Sequence, residues 1–210
     1  MTDPIVDEAY DYLRGHLVGR IRFGQDRLEM RVAPSPDGTL VASVMVAMLR
    51  SVDTVLELPD DSDDSLELQV TLEEIDEHGP FAALCDRWCI YHGEPPDVRW
   101  ARMLIDAGRY KGHFIDGVGL SRANPFAEQE VALCKEINVK HAALLAPAAF
   151  AAGGHKLASP RLVGVDPWGF DIRGQLGVIR AACHPPIEGV VHALPRLQEL
   201  AAHSGPVDLA

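Results

Sequence analysis

The sequence predicts an α+β protein: a partly closed antiparallel β-barrel with helical insertions, followed by a small α-β-β-β-α domain. Three observations predict it. Leu66, Leu68, Val70 and Leu72 alternate with Glu67, Gln69 and Thr71, the period of a half-buried strand. Strand-like and helix-like stretches interleave, with turn residues between them, as in an antiparallel barrel carrying insertions. Near Ser121 the pattern breaks, and Asn124-Pro125 then offers a side-chain cap followed by proline at the first helical position. The chain thus divides into residues 1–122 and 123–210.

The elements follow in order. Residues 4–16 read as a helix with Ile5, Tyr12 and Leu13 as its apolar contacts. Leu28, Met30 and Val32 alternate with Glu29 and Arg31, a strand. Pro34-Ser35-Pro36-Asp37-Gly38 is a turn, because proline fixes φ and glycine accepts positive φ. Residues 39–47, apolar at nearly every position, read as a strand buried on both faces and paired in a hairpin with 28–32. Residues 48–58 read as a short helix. The acidic stretch from Pro59 to Asp64 lacks the central glycine and final glutamate of a calcium loop and reads as solvated. Residues 81–91 and 97–107 read as helices, and 110–118 as a strand. In the second part a helix runs from Pro125 towards Leu145 or beyond and ends at residues 151–154. Strands follow at 161–165, 169–173 and 176–182, with Asp166-Pro167-Trp168 as a turn. A last helix covers 189–203.

Composition narrows the function. A net charge of −12 over 210 residues argues against sequence-independent binding to nucleic acid or to acidic membranes. No apolar run reaches the roughly 20 residues that span a bilayer. Asp3, Asp7 and Glu8 in the first ten residues are unlike a signal peptide, so the expectation is a cytoplasmic protein with Cys85, Cys89, Cys134 and Cys183 reduced. Cys85 and Cys89 share a helical face, but no second Cys/His pair follows at zinc-finger spacing, and packing is the reading. There is no nucleophile elbow, phosphate-cradling glycine loop or zinc signature.

Three stretches carry a family resemblance. Residues 110–119, Tyr-Lys-Gly-His-Phe-Ile-Asp-Gly-Val-Gly, resemble the last barrel strand of haem-utilisation proteins, which ends in a Gly-Gly-Phe-Gly-like turn. Asn138-Val139-Lys140-His141-Ala142 is similar to the Asn-x-x-His-Ala that opens their C-terminal domain. Residues 164–173, Gly-Val-Asp-Pro-Trp-Gly-Phe-Asp-Ile-Arg, resemble that domain's Gly-x-Asp-x-x-Gly hairpin. The family belongs to the FMN-binding split barrels of the pyridoxamine-phosphate-oxidase-like group. Its His-Thr-x-Asn element is absent, Leu49-Arg50-Ser51-Val52-Asp53-Thr54-Val55-Leu56 standing in its place. The resemblance implies an antiparallel split β-barrel and a homodimer with ligand pockets at the subunit interface. It also implies haem, or alternatively FMN, as the ligand.

Haem asks for an axial imidazole, an apolar slot and cations for its propionates. His113 is the candidate iron ligand, placed by the strand reading on one face with Lys111 and Ile115. Arg109 and Lys111 are candidate partners for propionates or for an FMN phosphate. Arg50 and Ser51 are further phosphate candidates. His141 lies on an apolar helical stripe, with Asn138 one turn earlier to orient it. His184, between Cys183 and Pro185-Pro186, is a third candidate, the thiol beside it being the kind that senses haem. Three readings follow: oxidative haem degradation with iron release, needing an external electron donor; a flavin-dependent oxidoreductase; or a non-catalytic carrier or regulatory module.

Overall fold

The computed structural model describes residues 3–59, 65–97, 99–154 and 156–203. The chain forms two compact units, Met1–Ala123 and Asn124–Ala210. The stretch from Asp60 to Asp64, read above as a solvated loop, lies outside the described residues.

The first unit opens with α1 (Pro4–Gly15), whose first turn holds proline and is capped by Asp3, the carboxylate accepting the Ile5 amide at 3.2 Å. Eight strands follow: β1 (Val18–Phe23), β2 (Asp26–Arg31), β3 (Ala33–Pro34), β4 (Leu40–Val44), β5 (Thr54–Leu58), β6 (Leu66–Ile75), β7 (Arg99–Tyr110) and β8 (His113–Asp116). They form one curled antiparallel half-barrel in the order β2-β1-β5-β6-β7-β4-β3, with β8 on the free C-terminal half of β7. Helices α2 (Val46–Leu49), α3 (Ala82–His92) and α4 (Gly117–Leu120) are the insertions. Ile21, Leu56, Leu68, Gly108 and Ile115 stand in register across five strands on the inner face. The four side chains in this row are buried. Gly108 interrupts it for a reason: a Cβ there would come within 2.7 Å of Leu120 of α4. One residue along each strand, the outward row reads Arg20, Glu57, Glu67, Arg109, Phe114.

Four expectations are corrected. Of residues 97–107, read as a helix, Arg99 onward lies in the strand β7. A bulge opposite Gln69 and Val70 sets Asp106 out of register, so the buried alternation of Ala101, Met103 and Ile105 resumes one residue late at Gly108 and Tyr110. Residues 48–58 split into the end of α2 and the strand β5, where Thr54-Val55-Leu56 lies between β1 and β6. β1 escapes the reading because its inward positions include Gly19, whose Cβ would collide with the Glu57 carbonyl. β2 pairs with β1, so the turn at Ser35–Thr39 joins β4 only to the two-residue β3. Finally, 110–118 is no single strand. Lys111 (φ 49°) and Gly112 (φ 78°) form the two-residue turn of the β7–β8 hairpin, and the chain enters α4 at Gly117.

The second unit contains α5 (Ala127–Lys140), α6 (Leu145–Gly153) and α7 (Ala193–Ala202) with a separate antiparallel sheet of β9 (Arg161–Asp166), β10 (Gly169–Gly174) and β11 (Gly177–Ala182), in the order β11-β10-β9. The long helix expected from Pro125 is broken at His141. Pro147 has no amide for the Ala143 carbonyl and would crowd it, so the chain passes through a 3₁₀ turn (Ala142–Leu144) and restarts with proline in the first turn of α6. Ile137, Leu145, Phe170, Ile172 and Leu197 lie at the core of this unit.

Candidate functional site

The β7–β8 hairpin carries three of the expected residues. His113 opens β8, exposed, opposite Tyr110. Phe114, opposite Arg109, projects from the other face and is 79% exposed, unusual for a phenyl ring. Of the expected common face of Lys111, His113 and Ile115, one member is corrected: Lys111 is in the turn, while His113 and the buried Ile115 alternate with Phe114 along β8 and so share a face. The two cations are engaged. Arg109 Nε donates to Glu67 at 3.3 Å, and Lys111 Nζ donates to Glu8 of α1. These hydrogen bonds hold the Lys111 ammonium and the Arg109 guanidinium above their ordinary pKa and the Glu8 carboxyl below its own.

Arg50 and Ser51 do not join this group. They follow α2 and precede the Thr54 end of β5, whereas the ladder sets Arg109 level with Glu67 and Glu57, near its other end. Ser51 Oγ donates to the Asp53 carbonyl at 3.4 Å.

His141 and His184 lie in the second unit. His141 caps the C-terminus of α5, half-buried. Asn138 does not orient it. Its amide donates to the Leu162 carbonyl and its oxygen accepts the Leu162 amide, both at 2.8 Å, binding α5 to β9. His184 is exposed before a cis peptide bond to Pro185, and its carbonyl accepts Arg196 at 2.8 Å. Burial pushes the Cys183 thiol up, against the pull of Arg196, so it is no ready thiolate. Burial, with Glu77 and Asp86 nearby, likewise pushes Cys85 to about 11. Among the described residues no group of three His, Cys, Asp or Glu is placed to hold a metal ion, and no helix is long and apolar enough to cross a membrane.

The residues that match the family are used for architecture. Asp166 Oδ1 accepts the Trp168 amide at 2.8 Å and also faces Arg180. Gly169 has φ 151°, and a Cβ there would stand 2.3 Å from the Ala181 carbonyl oxygen. A Cβ on Gly117 would stand 1.9 Å from the Ile105 oxygen.

Sequence reasoning missed a cavity of about 350 Å³ in the first unit, floored by Met30, Met48 and Trp88 with Leu28 at its side. Its polar lining is Glu29, Arg31, Ser43, Glu94 and Asp97. These residues come from β2, β4, α2, α3 and the segment after α3, and no single stretch signals them. They do not fit an anionic cofactor: three carboxylates face one guanidinium, and no histidine is present. The hairpin carries an exposed imidazole on one face and an exposed phenyl ring on the other, with its two cations held by Glu67 and Glu8.

No protein-family model matches the chain, and no curated protein matches it. Among solved structures it is similar to a protein of unknown function from Agrobacterium tumefaciens, at a TM-score of 0.73 and 15% identity over 96% of this chain and 95% of the other. A heme binding protein from Mycobacterium smegmatis matches at a TM-score of 0.46 and 18% identity, over 97% and 98%. A protein titled "Putative Pyridoxamine 5'-phosphate oxidase" from Listeria innocua matches at 0.40 and 15%, over 52% of this chain and 99% of that one. Across nearly its whole length the chain shares the fold of the Agrobacterium protein, an α+β fold with a curled antiparallel half-barrel and a separate three-stranded sheet with helices.

Proposed function

We propose that this protein is a homodimeric haem-binding protein on a split barrel, holding haem at the β7–β8 hairpin. The observation that carries the reading is the placement of His113, Phe114, Arg109 and Lys111 on that one hairpin. His113 would ligate the iron from one face of β8, Lys111 in the turn would meet a propionate after leaving Glu8, and Phe114 and Arg109, on the opposite face, would stand against the second copy. When bound, and given an external electron donor, haem supplies the oxidative chemistry that the family resemblance implies. The hairpin's share is to ligate, orient and neutralise. The hairpin is open to solvent, so a dry pocket needs a wall from a second copy, and the reading therefore includes the dimer. One chain alone favours a carrier over an oxygenase. A flavin stands second, because Arg50 and Ser51 are set apart from Arg109 and Lys111.

Hemin titration tests this. The expected outcome is a saturating haem band that disappears in His113→Ala and weakens in Phe114→Ala. Decay of the band with ascorbate would mark an oxygenase, and persistence a carrier. No saturable band, or a normal one in His113→Ala, overturns the proposal. A yellow preparation that releases a fluorescent flavin would move the assignment to an FMN enzyme.

A further inference from the structure

Helix α1 lies against the face of the hairpin that carries His113. His113 stands opposite Tyr110 in the ladder, so the two share a face, and the Tyr12 ring of α1 lies 4.9 Å from the Tyr110 ring. The Tyr110 hydroxyl donates to Glu8 Oε1 at 3.4 Å, and the Lys111 ammonium donates to the same oxygen. That ammonium also lies 5.2 Å from the centre of the Tyr110 ring.

Two observations single out the contact between Lys111 and Glu8. Lys111 takes φ 49°, in a two-residue turn whose backbone asks for glycine, asparagine or aspartate. The turn therefore does not account for a lysine; the side chain does, through Glu8. The contact also joins positions 103 residues apart. Arg109 differs, because the ladder itself fixes Glu67 beside it. Glu8 stands on a separate element. Its side chain and that of Lys111 are 49% and 45% exposed, so water can replace either partner and the pair is weak enough to be exchanged.

A ligand carboxylate arriving on the His113 face meets Glu8 as it reaches for Lys111. The ammonium serves both only if two carboxylates sit side by side, which like-charge repulsion opposes. We propose that Glu8 is an autoinhibitory contact: α1 holds the Lys111 ammonium with it, and an anionic ligand gains the lysine only by displacing Glu8. This rests on the hairpin reading and adds the element that regulates it. A ligand without an acidic group leaves the contact closed.

The test is hemin titration of the intact protein, followed by the haem band, in the parent, Glu8→Gln, Lys111→Met and the double variant. Glu8→Gln is expected to bind hemin about fivefold tighter. In the Lys111→Met background the same change is expected to bring no gain, because no ammonium remains to be released. Asp7→Asn removes a carboxylate one residue earlier on α1, paired with Arg122 at 2.6 Å. It is expected to leave hemin affinity within about twofold of the parent. The inference is overturned if Glu8→Gln binds hemin no tighter than the parent. It is equally overturned if the gain persists without Lys111, or if Asp7→Asn gains as much, since a general change of charge then explains the result. In each of these cases a saturable, His113-dependent band in the parent leaves the hairpin reading standing. No saturable band in the parent overturns the hairpin reading and this inference with it.

Discussion

At the scale of single residues, much of what looked functional is structural. Position 169 is held to glycine because its φ of 151° and the Ala181 carbonyl exclude a side chain. Gly169→Ala is expected to cost about 3 kcal/mol, read from the denaturant midpoint of the second unit. Arg180 is buried between Asp166 and Asp171, its side chain only 4% exposed, with Asp171 at 2.9 Å. Arg180→Met would remove the one charge shown against both buried carboxylates, with an expected loss of about 3–5 kcal/mol by the same measurement. Asp37 shows the opposite situation, near the surface. Burial raises its carboxyl, but hydrogen bonds from the Thr39 hydroxyl and amide, together with Arg102 at 2.8 Å, outweigh this and hold it below its ordinary value. A carboxyl depressed in the folded state adds stability above its unfolded pKa of about 4, and that stability is lost as pH falls through the folded value. Asp37→Asn is therefore expected to lower stability by up to about 1 kcal/mol at neutral pH, the group being well exposed. The gap between the urea midpoints of variant and parent should close in acid.

At the scale of elements, the sequence was legible wherever alternation or capping acted alone. β6 shows it, with its inward leucines; the start of the second unit does so only in part, because Asn124 Oδ1 accepts the Phe126 amide at 2.9 Å in a turn and α5 begins two residues beyond Pro125, at Ala127. It was illegible where tertiary pairing overrode local signals. The bulge breaks the alternation of β7, a glycine blanks the pattern of β1, and Arg-Met-Leu helix formers in β7 are held extended between β6 and β4. The candidate site divides in the same way. His113, Arg109 and Lys111 lie on one hairpin and so were visible as a group. The cavity residues are scattered from Leu28 to Asp97 and meet only after folding. Asn138 makes a prediction of its own, since its amide copies a strand partner for Leu162. Asn138→Ala should destabilise the second unit by about 2 kcal/mol, with two backbone groups left unpaired, and should leave a hemin spectrum at the hairpin unchanged.

At the scale of the molecule, the two units each hold a buried core. The proposed homodimer is open to sedimentation equilibrium: a dimer is expected at micromolar concentration, and a monomer would leave the hairpin without its second wall. The sheet itself constrains how copies meet. One edge is β3, two residues long, where Pro34 has no amide to offer and its carbonyl is taken by Arg87. The opposite edge is β2, where Asp26, Arg27, Glu29 and Arg31 are exposed. A strand docking on the first finds no ladder to extend, and one docking on the second must desolvate a row of mixed charges. These two edges are thereby guarded against templated stacking into ribbons, which leaves the four-residue β8, paired only to β7, as the one short ladder still open among the described strands of this sheet. A crowded preparation should keep a dye that reports cross-β order dark, and copies of the chain that associate are steered to faces, where side-chain shape selects the partner.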